Sequence, residues 1–132
     1  MLNTLKRRND MKNKYYVYIG QLSKNFAKSP KAKLKNIHPD PNRVGLYVGY
    51  SIKAPEKRWK QHLTKARNSR GRLFSKIAAK WGEPYLHWKK FRKFNPVHSI
   101  KEAKSLEKKL AERYRDKGYA TWSDALPYRD KN

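Results

Sequence analysis

From Ser99 to about Lys117 the chain repeats its apolar residues at helical spacing, and the stripe they form contains an acid. At about 100° per residue, Ala103, Glu107, Ala111 and Tyr114 share one face, with Leu106 and Leu110 beside them. Ser99 followed by Glu102 is a capping-box pattern that opens the helix. Glu102, Glu112 and Asp116 can point to water, whereas Glu107 sits among the apolar residues. A carboxylate facing a core or cleft costs several kcal/mol unless a cation meets it. Any fold that accepts this helix must therefore bring an arginine, a lysine or a divalent metal to its buried face.

The rest of the chain supplies a sheet for the helix to lie on. Lys14–Leu22 (KYYVYIGQL) and Val44–Ser51 (VGLYVGYS) are rich in aromatic and β-branched residues and read as two antiparallel strands. Between them runs a polar stretch with Pro30, Pro39 and Pro41, in which Lys24, Lys28, Lys31, Lys33, Lys35 and Arg43 face only Asp40. A connection this long inside a small domain is functional or disordered, so it reads either as a nucleic-acid clamp or as a solvated insertion. Pro55 suits the first turn of a helix running to about Ala66, with Trp59, Leu63 and Ala66 inward. A basic turn, Arg67–Arg72, leads to a short helix over Leu73–Trp81, ended by Gly82 and Pro84. Tyr85–Phe94 (YLHWKKFRKF) reads as a third strand and Asn95–His98 as a turn. Its interleaved basic and aromatic residues fit a nucleic-acid surface, or simply a strand with one wet face. The expected fold is α+β: a small three-stranded antiparallel sheet flanked by helices, in the order ββααβα. The expected organisation is a flexible basic arm at 1–13, one domain at 14–124 with a lysine-rich insertion loop at 23–43, and a frayed tail at 125–132.

Charge points to the partner. With 34 Lys+Arg against 10 Asp+Glu, the formal net charge is +24, a field that draws phosphate backbones and releases their counterions. At 37 % hydrophobic and 13 % aromatic residues, a core is attainable, which sets the chain apart from a disordered basic tail. The absence of cysteine excludes disulfides and cysteine zinc sites and fits a reducing compartment. No stretch approaches the roughly 20 apolar residues of a membrane span, and no secretory segment follows the start. The expected setting is the cytoplasm of a bacterial or phage-infected cell, with a monomer assumed.

The motifs now carry a resemblance. The first strand with Val17, Tyr18 and Ile19, the second with Tyr47, Val48 and Gly49, the helix segment EKRWKQH, and EAKSLEKKLAERYRDKGYATW together resemble the GIY-YIG nuclease family over roughly residues 14–122. In that family two strand tyrosines, a helix arginine and often a histidine, and a glutamate on a later helix surround one metal. The resemblance places these roles on Tyr18, Tyr47, Arg58, His62 and Glu107, with Glu107 as the metal ligand. The first motif lacks the Gly-Ile pair, the stretch between Tyr18 and Tyr47 is an insertion, and Thr121–Asp124 (TWSD) stands near the place of an asparagine that many members carry.

What the resemblance implies is a metal-dependent endonuclease that hydrolyses DNA, with RNA as a further possibility, at a single Mg²⁺ or Mn²⁺ per site. The ten acids do not cluster, which fits one inward glutamate better than a carboxylate-rich pair of metals. Arg58 would grip the scissile phosphate through its planar fork. Tyr18 resembles the family's general base, whose pKa of about 10 the metal, Arg58 and nearby lysines must lower. Tyr47 would hydrogen-bond water or phosphate, and His62 would relay a proton or hold Tyr18. Lys24, Lys28, Lys31, Lys33, Lys35, Arg43, Lys53, Arg67, Arg70, Arg72, Lys89 and Lys90 are the candidate nucleic-acid contacts. The bland counterparts are core tyrosines, a solvated arginine, a boundary histidine and a buried ion pair at Glu107. On those readings the chain is a non-catalytic basic nucleic-acid-binding module that keeps the fold.

Overall fold

The computed structural model describes residues 14–129; the basic arm expected at 1–13 and the last three residues lie outside them. Strands β1 (Tyr16–Leu22) and β2 (Gly45–Ser51) pair antiparallel, with Tyr18 opposite Gly49 and Gly20 opposite Tyr47. They form the centre of a sheet ordered β3-β1-β2-β4. The sheet thus has four strands and not the three antiparallel ones expected. The extra edge, β4 (Thr121–Trp122), runs parallel to β2. At two residues it is too short to show any alternation. It exists because the chain leaving the last helix is pinned beside β2, where Leu46 N donates to Ala120 O at 2.9 Å.

The third strand also lies elsewhere than expected. β3 is Gly82–Leu86, and the following residues turn into helix α4 (Trp88–Phe91) and a 3-10 turn, Arg92–Phe94. Trp88, Phe91 and Phe94 recur every three residues, a helical spacing that overrides strand propensity. Pro84 is tolerated because β3 is an edge strand. Where β3 stops, the side chain of Asn95 takes its place beside β1. Its Oδ1 accepts from Val17 N at 2.9 Å, and its Nδ2 donates to Val17 O at 2.8 Å.

The insertion is not a loop. It folds as a 3-10 helix, Lys24–Lys28, and helix α1 (Pro30–Lys35). Ser23 and Ser29 cap these by accepting from Asn25 N and Ala32 N, and Pro30 occupies the first turn. Phe26, Ala27 and Ala32 are buried, so three apolar residues anchor a segment that composition alone reads as solvated.

Helix α2 (Pro55–Leu63) ends three residues before the expected Ala66, and α3 covers Lys76–Trp81 behind its Ser75 cap. Helix α5 (Ile100–Asp116) opens with Ser99 Oγ accepting from Glu102 N at 3.1 Å and packs against β2 and β4. Ala103, Leu110, Ala111 and Tyr114 are buried on it, together with Glu107. The element order is therefore β1, 3-10, α1, β2, α2, α3, β3, α4, 3-10, α5, β4, which replaces ββααβα. Residues 125–129 pack back onto the domain: Leu126 is 2 % exposed and Arg129 N donates to Leu34 O at 2.7 Å. Among the described residues no helix is long and apolar enough to cross a membrane.

Candidate active site

The two central strands present tyrosine and glycine to one another in a crossed pattern. Tyr18 lies opposite Gly49 and Tyr47 opposite Gly20, so all four share one face of the sheet. The glycines are required by space. A Cβ on Gly49 would lie 2.7 Å from Tyr18 Oη, and one on Gly20 would lie 2.4 Å from the Trp59 indole. With no side chains there, Tyr18 and Tyr47 stack at 6.1 Å, and Trp59 from α2 settles over Gly20 with its Nε1 donating to Glu83 O at 2.8 Å.

One turn beyond Trp59, His62 is 3 % exposed and its Nε2 lies 2.8 Å from Tyr18 Oη. Its Nδ1 is buried and has no partner among the described residues. Burial, with Arg58 nearby, lowers the His62 pKa to about 4, so the ring is neutral at physiological pH. Burial pushes the Tyr18 and Tyr47 phenols up from their ordinary value, and at Tyr18 it outweighs Arg58, the reverse of the lowering expected for a general base. The contact is thus between a protonated phenol and a neutral imidazole.

Arg58 is aimed rather than solvated. Its Nε donates to Ser51 Oγ at 3.0 Å, and its guanidinium lies 4.0 Å over the Phe74 ring. Neither Nη makes a hydrogen bond within the described residues, which leaves the outer edge of the fork to the cleft. That cleft, of about 650 Å³, is lined by Tyr18, Tyr47, Arg58, His62 and Glu107 together. The five residues singled out in the sequence converge although as many as 89 positions separate Tyr18 from Glu107.

Glu107 has no cationic side chain within ion-pairing distance among the described residues, where the single pair is Arg115–Asp116. Glu107 is 5 % exposed. Its Oε2 accepts from Ser123 Oγ at 2.8 Å and from Ala125 N at 3.2 Å, while Oε1 takes no protein hydrogen bond and opens on the cleft. Burial raises its pKa to about 7; the two hydrogen bonds and, more weakly, the charge of Lys35 oppose this, and the neighbouring Asp124 adds to it. Asp124 also lines the cleft. The donors on offer are carboxylate and phenol oxygens with no sulfur, which fits a hard divalent cation that keeps water and phosphate among its ligands. No group of three or more His, Cys, Asp or Glu converges among the described residues, so such an ion would have few protein ligands.

Behind Glu107 stands the insertion. Lys35 is 4 % exposed: its Nζ donates to Ser123 O at 2.7 Å and lies 4.2 Å from the centre of the Trp122 ring and 4.9 Å from that of Tyr128. Next to it, fully buried Asn36 donates to Ala32 O and Thr121 O and accepts from Thr121 N. These two residues grip the backbone of the segment whose Ser123 holds the glutamate. Lys35 is therefore a brace and leaves the set of surface cations. Arg43 is likewise tied down, donating to Lys117 O at 2.7 Å and lying 3.8 Å over the Tyr119 ring. Lys90 is half-buried above Tyr114 and Tyr119. Lys24, Lys28, Lys31, Lys33, Lys53, Arg67, Arg70, Arg72 and Lys89 are exposed.

Sequence reasoning missed Ser51, Phe74, Ser123, Asp124 and Ala125. Ser51 stands in the LYVGYS strand, two residues beyond Gly49 and so on its face. Ser123 and Asp124 belong to the TWSD stretch that stands near the place of the resembling family's asparagine. Phe74 carries no signal of its own.

The family model described as the GIY-YIG catalytic domain matches residues 37–120, well over half of the chain, and the chain belongs to that family. The match takes in Tyr47, Arg58, His62 and Glu107, while β1 with Tyr18, most of the insertion and the Ser123–Ala125 segment lie outside it. No curated protein and no solved structure matches the chain.

Proposed function

We propose that this protein is a metal-dependent endonuclease that hydrolyses DNA phosphodiester bonds at a single-metal site. The observation that carries the reading is Glu107, a carboxylate buried at the cleft wall, aimed by Ser123 and Ala125, with no ion-pair partner among the described residues. A buried carboxylate kept for packing would be matched by a cation or replaced by an apolar residue. Mg²⁺ or Mn²⁺ held by Glu107, with Asp124 beside it, would neutralise charge on the phosphate and acidify a bound water.

The side chains supply the rest. Arg58 offers both Nη groups to the phosphate oxygens, pre-aimed by Ser51 and Phe74, and so stabilises charge as it grows on them. Tyr18 Oη, held 2.8 Å from His62 Nε2, would orient the attacking water, and because burial lowers the His62 pKa to about 4 the proton of that water would leave to solvent rather than rest on the imidazole. The P–O bond to the sugar breaks as the water–phosphorus bond forms, and the leaving oxygen is protonated from solvent. Tyr47 Oη bonds the water or a phosphate oxygen and fixes its line of attack.

The test is a supercoiled-plasmid assay with Mg²⁺, Mn²⁺ or EDTA, run on the wild type and Glu107→Ala. Nicking that needs metal and is lost in a folded, DNA-binding Glu107→Ala protein is the expected result. Binding without cleavage by either protein returns the non-catalytic module, and cleavage by the variant removes Glu107 from its role.

A further inference from the structure

A second groove, distinct from the cleft, lies between the insertion and α3. Lys28 and Lys31 form one lip, Lys76 and Lys80 the other, and Ile77 and Trp81 line it between them, enclosing about 580 Å³. All four lysines are exposed, no carboxylate lines the groove, and none of the four is in a salt bridge among the described residues. Like charges gathered without a counter-ion repel, and a polyanion relieves that repulsion. The Trp81 ring is already engaged: Lys80 Nζ lies 5.1 Å from the centre of the indole, which packs against Phe26 at 6.1 Å. The groove is therefore suited to phosphates rather than to stacked bases. It is also continuous with the cleft along the chain, since Phe74 lines the cleft, Ser75 caps α3 and Lys76 begins the groove.

We propose that this groove is a second grip on the phosphodiester backbone of duplex DNA, beyond the phosphate held at Arg58, so that the insertion lengthens the footprint on the substrate. The inference rests on the proposed function for the identity of the polyanion, but not for the occurrence of cleavage.

The experiment measures anisotropy of a labelled duplex, and of one of its strands alone, in EDTA, at several salt concentrations, with the full chain. Lys28→Glu/Lys31→Glu is compared with Lys109→Glu/Arg113→Glu, which makes the same change in net charge on the exposed side of α5. Lys31 stands in the first turn of α1, where glutamate suits the helix. Lys76→Gln/Lys80→Gln probes the opposite lip and guards against a folding artefact. The groove variants should each lose about tenfold or more in affinity, and the slope of log K against log salt should fall by about 1.8 for two phosphate contacts. The α5 pair should change affinity by less than about threefold. Equal losses at the groove and on α5 would mean that affinity follows net charge alone and would overturn the proposal. So would a loss confined to single-stranded DNA. A plasmid assay separates the two readings. Groove-dependent binding by a wild type that never nicks leaves the groove standing and removes the nuclease. Wild-type binding and nicking by the groove variants does the reverse.

Discussion

Glu107 works against the stability of the metal-free domain. Its folded pKa is raised to about 7 from 4.5, so its contribution is full below pH 4.5 and is lost as pH rises towards 7. Above that, holding the ionised group costs about 3 kcal/mol, at 1.36 kcal/mol per unit. His62 and His87, both lowered to about 4 by burial, act the opposite way and lose stability as pH falls from 6.5 to 4. Comparing two proteins that share these histidines isolates the glutamate. Metal-free Glu107→Gln should melt several degrees above wild type at pH 8 and level with it at pH 4.5, by differential scanning fluorimetry. Adding Mn²⁺ at pH 8 should raise the wild-type Tm and leave that of the variant unchanged. At the sheet, Gly49→Ala places a methyl group 2.7 Å from Tyr18 Oη. Because backbone and ring must both shift, the domain should lose about 1–3 kcal/mol in urea unfolding. Plasmid nicking should fall by more than tenfold as Tyr18 leaves His62.

The insertion does two jobs as an element. One end, through Lys35 and Asn36, locks the Thr121–Ser123 backbone; the rest lies against α3. Asn36→Ala deletes three buried hydrogen bonds and strands Thr121 N and O. Urea unfolding should record a loss of about 2–4 kcal/mol, and residual nicking should need more Mg²⁺ as Ser123 loses its position. Some elements could be read in advance, because each is set by neighbours in sequence. The paired aromatic strands, the Pro55 helix and the Ser99-capped helix carry their own periodicity and caps. The 3-10 helix and α1 were hidden by lysines, although Ser23, Ser29 and Pro30 mark their starts. β3 was displaced because an aromatic run has high strand propensity even where its spacing is helical. β4 has no local signal at all, since only pairing with β2 makes those two residues a strand.

For the molecule as a whole, a net charge of +24 governs how it would meet a nucleic acid. If it covers six or more phosphates, affinity should fall on the order of a thousandfold between 50 and 200 mM salt, measured by anisotropy. A single such cleft among the described residues predicts that nicked circles accumulate before linear plasmid, because a double-strand break needs a second visit or a second copy. The sequence by itself determined the polyanionic partner, the central strand pair, the two principal helices and the oddity of Glu107. All of these are properties of composition or of periodicities within about twenty residues. Only the tertiary structure decided that no arginine or lysine among the described residues forms a salt bridge with Glu107, that Ser123 and Ala125 aim it, and that Lys35 is buried while Lys28 and Lys31 are not. Those facts depend on Lys35 reaching Ser123 across 88 residues, Asn36 reaching Thr121 across 85 and Asn95 reaching Val17 across 78. Contacts of that range are chosen by the packing of the whole chain, and no local pattern encodes them.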